Sequence, residues 1–178
     1  MQWYNEPTKF DEAGSKISLT VPGKTDFWRV TLHGFIKDDA PFYFKHVEGD
    51  FEVTVKFTAK YETLYDQAGL MVRQDEKVWM KCGIEFYKGV QHASTVITRD
   101  FSDWSISPVS ENPVSVWIRA KRTKECIETF YSVDGTNFIQ IRQGYLSEAP
   151  TLQVGIMAAA PTGEGFDVVF EELDIKQG

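Results

Sequence analysis

The sequence predicts an all-β fold, a two-sheet sandwich or jelly roll. Three observations point there. Apolar residues alternate with polar ones over many short runs, which is the period of a strand with one buried face. Gly, Asp, Asn and Pro punctuate those runs at the spacing of hairpin turns. Aromatic residues reach 14%, with 13 Phe, β-branched residues are frequent, and no stretch sustains a helical period. At 178 residues the chain suits a single domain over 1–178, long enough to bury a sizeable core.

Taken in order, Met1–Glu6 starts a short strand. Asp11–Gly14 reads as a turn, and Lys16–Val21 alternates before Pro22-Gly23. The connection from Thr25 to about residue 40 is rich in aromatics and charge, the composition of a loop folded back over a sheet. Phe42–Val47 and Asp50–Lys60 follow as strands. Asp100–Ser107 is read as a bent strand or a crossing between sheets. Val114–Arg122, Glu125–Val133 and Phe138–Gln143 form a meander turned at Asp134-Gly135, and Leu152–Ala160 and Phe166–Lys176 close the chain.

The centre is Tyr65–Trp104, three apolar runs separated by two short turns. A three-residue loop at 74–76 sets Val72 against Val78, Leu70 against Met80 and Ala68 against Cys82 on the inner face. Met71 then lies beside Trp79, Gly69 beside Lys81 and Gln67 beside Gly83 on the other. Lys88-Gly89 reads as a two-residue turn pairing Ile84 with Ala93, Met80 with Ile97, Glu85 with His92 and Gly83 with Ser94. Parity alone gathers Gln67, Arg73, Trp79, Lys81, Glu85, His92, Ser94 and Thr98 on one face, the candidate site.

These residue types suggest ligand chemistry. Trp79 offers a flat apolar face for a sugar ring, with Gln67, Arg73, Lys81 and His92 as hydrogen-bonding groups. Packing is the favoured role for Trp104. Arg73, Lys81 and Arg99, if convergent, would suit an anionic sugar, although Arg99 reads better as solvated surface. Glu85 and His92 form an expected cross-strand pair, and a structural ion pair is favoured over an acid–base couple. Sandwich glycosidases use two carboxylates about 5–9.5 Å apart. Here Glu85 stands alone between Lys81 and Gly83, with Asp66 and Asp100 at strand ends, so no catalytic residues are assigned.

No cofactor or metal is expected. His33, His46 and His92 lack a ligand spacing, and Asp38-Asp39 and Asp174 are read as turn residues. Gly163–Gly165 lacks the strand-to-helix setting of a phosphate loop. A net charge of −7 disfavours nucleic acid and anionic membrane surfaces. No apolar run suits a membrane span, and no signal peptide is visible. Cys82 falls on the inner face and forms no metal spacing with Cys126, which points to a reduced, cytoplasmic protein.

The segments DQAGLMVR, WMKCGIEF, GVQHASTVITRDFSDWS and YSVDGTNF together resemble a bacterial and fungal family of unknown function, whose fungal member is called regulation of enolase protein. The resemblance runs from WYNEP to FEELDI. It implies a concanavalin A-like lectin/glucanase sandwich of two curved antiparallel sheets, with the candidate face concave. The family carries no agreed activity or catalytic residues, so the wider fold contributes analogy only. The expected function is noncatalytic binding of a carbohydrate or related small polar ligand. The alternatives are an enzyme on sugars or sugar phosphates using Glu85 and His92, and a protein-interaction module acting on a metabolic enzyme.

Overall fold

A computed structural model describes residues 1–178 and contains sixteen strands and no helix. In chain order they are β1 (Gln2–Tyr4), β2 (Phe10–Ala13), β3 (Lys16–Pro22), β4 (Phe27–Arg29), β5 (Ile36–Asp38), β6 (Phe42–Glu48), β7 (Phe51–Ala59) and β8 (Gln67–Arg73). There follow β9 (Val78–Tyr87), β10 (Val90–Arg99), β11 (Phe101–Pro108), β12 (Ser115–Thr123), β13 (Cys126–Ser132), β14 (Ile139–Tyr145), β15 (Thr151–Ala159) and β16 (Gly165–Gln177). Two seven-stranded antiparallel sheets result, ordered β1-β6-β15-β8-β9-β10-β11 and β14-β13-β12-β7-β16-β3-β2. No helix is present that could be long and apolar enough to cross a membrane.

The alternation seen in the sequence builds the core. Leu70, Val72, Met80 and Ile84 of the first sheet meet Val53, Val55, Ile118 and Ile127 of the second in a cluster of 31 buried residues. Each such side chain contributes about 1.5–3 kcal/mol on full burial. Cys82 belongs to this cluster, and burial pushes its thiol well above the ordinary range, away from reactivity. Cys126 is also a free thiol.

Both central turns follow local chemistry. Lys88 and Gly89 take φ of 51° and 81°, the two positive values a type I′ hairpin requires. That turn gives the expected pairs Ile84–Ala93, Met80–Ile97, Glu85–His92 and Gly83–Ser94. The earlier turn differs from expectation. The Asp75 carboxylate accepts the N–H groups of Lys77 and Val78 at 2.8 and 2.9 Å, and Gln74 N–H donates to the Val78 carbonyl at 2.9 Å. The tip is therefore Asp75-Glu76-Lys77, and the register moves by two residues. Gln67 lies opposite Glu85, Gly69 opposite Gly83 and Met71 opposite Lys81. A two-residue shift preserves every side chain's face, so the parity argument is unaffected.

Two further elements depart from the sequence reading. Asp11–Ala13 belongs to β2, an exposed edge strand paired with β3, and Gly14 with φ of 64° makes the turn. β11 does not cross between sheets. Asp100, at φ of 62°, turns the chain straight back along β10 for eight residue pairs. The connection before β6 does fold over the first sheet, as the two-stranded hairpin β4–β5. This strap covers a second apolar cluster on the sheet's outward face, containing Phe27, Phe42, Phe44, Met71, Trp79 and Met157.

Under the strap, β8 and β9 approach closely at facing glycines. A Cβ on Gly83 would lie 2.0 Å from the Ala68 carbonyl oxygen and 2.8 Å from the Gly69 Cα. Gly83→Ala should therefore force the strands apart and lower stability by about 1–3 kcal/mol, typical of overpacking, measured as a reduced urea midpoint. An unchanged midpoint would show that the sheet absorbs the methyl group.

Candidate functional site

The strap is anchored at both ends by ion pairs formed with predicted site residues. Lys81 Nζ lies 2.8 Å from Asp26 Oδ1, and Arg73 NH2 lies 2.9 Å from Asp38 Oδ2. Asp38 also accepts from the Tyr4 hydroxyl at 2.8 Å, and the Arg73 guanidinium covers the Tyr4 ring at 4.5 Å. Both cations are buried. Arg73 thus serves to hold the strap. Lys81 does so too, while its side chain also borders the pocket described next.

Beneath the strap lies a half-open pocket of about 390 Å3. Its floor is Gln67, Lys81, Glu85 and Val96 from β8–β10. One wall comes from the strap. Pairing within β4–β5 sets Trp28 opposite Lys37, and both line the pocket together with Asp26, His33 and Phe35. The strap tip is held by Val30 N–H to the Phe35 carbonyl and Gly34 N–H to the Val30 carbonyl, at 2.8 and 2.7 Å. Val30 and Leu32 both take φ of 64° there, a strained conformation for such side chains. The Trp28 indole N–H donates to the Thr31 carbonyl at 3.0 Å, and His33 stacks on Phe35 at 5.4 Å, so these rings are held by the tip itself. Tyr65 and Trp104 line the pocket from β8's entry and from β11, packed edge to face at 6.3 Å.

Glu85 is fixed in the pocket through one of its two oxygens. Its Oε2 accepts from the Ser94 hydroxyl at 2.8 Å and from the Trp104 indole N–H at 2.9 Å. Burial raises its pKa above the ordinary glutamate value, opposed by Lys81 and by both hydrogen bonds, with Asp26 adding to the rise. His92 lies opposite in register but makes no ion pair with it. The imidazole Nδ1 is 2.9 Å from the Val90 carbonyl oxygen, and the ring packs against Tyr87.

The structure therefore separates the predicted set. Gln67, Lys81, Glu85 and Ser94 come together, with Ser94 acting through Glu85. Gln67 donates its amide to the Tyr65 carbonyl at 3.0 Å. Trp79 does not present a face. It is 1% exposed and packs on Phe27 at 6.1 Å, because the strap covers it. Thr98 bonds Ser102 at 2.9 Å outside the pocket, and Arg99 lies over the Tyr145 ring at 4.2 Å. Trp104, read as packing, is instead a pocket wall. Trp28, Phe35, Lys37 and Tyr65 were not singled out, and only the aromatic, charged composition of residues 25–40 signalled the strap.

Fold and pocket together define a β-sandwich with a small-ligand-sized, aromatic-walled hollow on the outward face of one sheet. The chain belongs to the family described as protein of unknown function (DUF1349), which matches residues 3–178. Regulation of enolase protein 1 of Saccharomyces cerevisiae is 37% identical over 174 residues, covering 97% of this chain and 87% of that protein. A crystal structure of a functionally unknown Saccharomyces cerevisiae protein superimposes with a TM-score of 0.96 at 33% identity, covering 99% of this chain and 96% of the other. The carbohydrate binding module CBM66 from Bacillus subtilis shares the fold, with a TM-score of 0.54 at 15% identity over 90% of this chain and 95% of the module.

Asp26→Asn would leave the Lys81 ammonium without its counter-charge in a mostly buried position. The expected loss is about 2 kcal/mol, below the 3–5 typical of deeply buried pairs because water reaches the pocket. Urea unfolding checks this, and Asp26→Asn combined with Lys81→Met should recover part of the loss.

Proposed function

We propose that this protein is a noncatalytic binding domain that holds a carbohydrate or related small polar ligand between strap and sheet. The pocket carries the reading. Its volume lies in the range of about 300–1,000 Å3 usual for small-ligand sites, and it combines aromatic walls with a few convergent polar groups. Rings of Trp28 and Trp104 supply apolar faces for a sugar, while Gln67, Lys81 and Glu85 supply hydrogen bonds. The fold shared with a carbohydrate binding module is consistent with this at the level of architecture. The enzymatic alternative needs Glu85 and His92 to exchange protons, and its support is weakened because no hydrogen bond joins them: Glu85 Oε2 is held by Ser94 and Trp104, and the imidazole Nδ1 turns to the Val90 carbonyl.

A protein-interaction role has separate support. The yeast relative's name links it to enolase, and Leu32, Phe35 and Ile36 expose apolar surface at the strap tip. The two readings diverge in a thermal-shift screen against neutral sugars, amino sugars, uronic acids, sugar phosphates and divalent ions. A ligand at 100 times its Kd adds about 2.7 kcal/mol, so a saturable rise in Tm is expected. Trp28→Ala and Trp104→Ala should abolish it. A silent panel would reject the small-ligand reading and favour the interaction role, for which sedimentation of the protein mixed with purified enolase is the direct check.

A further inference from the structure

Three carboxylate or amide oxygens of the pocket are left without a protein donor. Glu85 spends Oε2 on Ser94 and Trp104, whereas Oε1 accepts nothing from the protein and is open to the pocket. Asp26 likewise uses Oδ1 for Lys81 and for the Phe27 N–H, leaving Oδ2 free. Gln67 gives one amide N–H to the Tyr65 carbonyl and leaves its own carbonyl oxygen free, together with its second N–H. The cations are compensated: Lys81 by Asp26, and Lys37 by Asp39 at 3.0 Å with the Lys24 carbonyl at 2.8 Å. The lining groups Asp26, Glu85, Lys37 and Lys81 balance in charge, and Asp39, paired with Lys37 just outside the lining, brings the surroundings to one negative charge in excess when Glu85 is ionised, in a chain whose net charge is −7.

We propose that the pocket selects a hydroxylated ring that donates a hydrogen bond to Oε1 of Glu85 and carries no negative charge, an uncharged or amino sugar rather than a uronate or sugar phosphate. This rests on the small-ligand reading and specifies the ligand class. It sets aside the anionic sugar that Arg73, Lys81 and Arg99 would suit only if they converged, which they do not. Arg73 is bound to Asp38, Lys81 to Asp26, and Arg99 lies over Tyr145 outside the pocket.

The same geometry makes recognition sensitive to protons. Oε2 is filled by two donors, so a proton taken up by Glu85 goes to Oε1 and converts the pocket-facing acceptor into a donor. The charged and titratable groups around Glu85 are Lys81 and Tyr87 from its own strand, His92 from β10, Asp26 from the strap and Tyr65 from the entry to β8, with His33 and Lys37 lining the same pocket. Burial dominates and raises the carboxyl's pKa, so protonation begins above the ordinary glutamate range. Affinity for a donating ligand is present above that raised pKa and falls as pH drops through it.

Isothermal titration calorimetry with glucose, galactose and mannose tests this, each ring supplied as neutral sugar, amino sugar, uronate and 6-phosphate, at pH 7.5 and 5. The expected result is a ring whose neutral or amino form binds at least tenfold tighter than its uronate and 6-phosphate, with weaker binding at pH 5. Tighter binding of the amino form would show that Glu85 acts by charge as well as by acceptance. In Glu85→Gln, Ser94 and Trp104 should retain the amide oxygen and turn the NH2 into the pocket. That variant should lose about tenfold in affinity, its pH dependence and much of its discrimination against uronate. The wild-type comparisons stand alone if Glu85→Gln fails to fold. Uronate or phosphate binding as tightly as the neutral ring, or pH-independent binding, would overturn the proposal and leave the small-ligand pocket standing. Absence of binding by every sugar would overturn both.

Discussion

The closure of the strap onto the sheet is the constraint on which the rest depends. A hairpin as short as β4–β5 cannot bury enough apolar surface to be stable alone. It is held instead by Phe27, which enters the cluster around Trp79, and by the Asp26–Lys81 and Asp38–Arg73 pairs at its two ends. Shielding from water strengthens both pairs, and each offsets part of the cost of placing a cation on the sheet face. Without the strap, that face would expose a row of aromatic and charged side chains with no common partner.

The pocket follows from where this cover does not fit flush. Facing glycines at 69 and 83 remove side chains from part of the sheet face beside Gln67, Lys81 and Glu85. The strap tip then carries Trp28, His33 and Phe35 past the edge of its own apolar contact. Trp104, on the edge strand β11, joins from the other direction and fixes Glu85 through its indole. The result is a carboxylate with one oxygen immobilised and one available, a more directional arrangement than an isolated glutamate on an open sheet.

Much of this was legible from the chain. Side-chain parity survives a two-residue register error, which is why Gln67, Lys81, Glu85 and Ser94 were correctly gathered on one face although the β8–β9 turn was misplaced by one residue. The Lys88-Gly89 turn was read correctly because its backbone demands are local. Trp79 shows the limit of the same reasoning. Parity placed it on the outward face, but only the strap determines whether that face is solvent or a second core. Glu85 and His92 are likewise true cross-strand neighbours whose side chains go to other partners.

By itself the sequence determined the all-β class, nearly all of the strands, the inner core and the two faces of the central sheet. These depend on period-two alternation and on turn chemistry, which act over a few residues. The tertiary structure decided which outward residues are covered and which line a pocket. Those outcomes depend on contacts between positions far apart in the chain, such as Asp26 with Lys81 across 55 residues, and alternation carries no record of them. The strap's aromatics had no identifiable role until the sheet beneath supplied their counterpart.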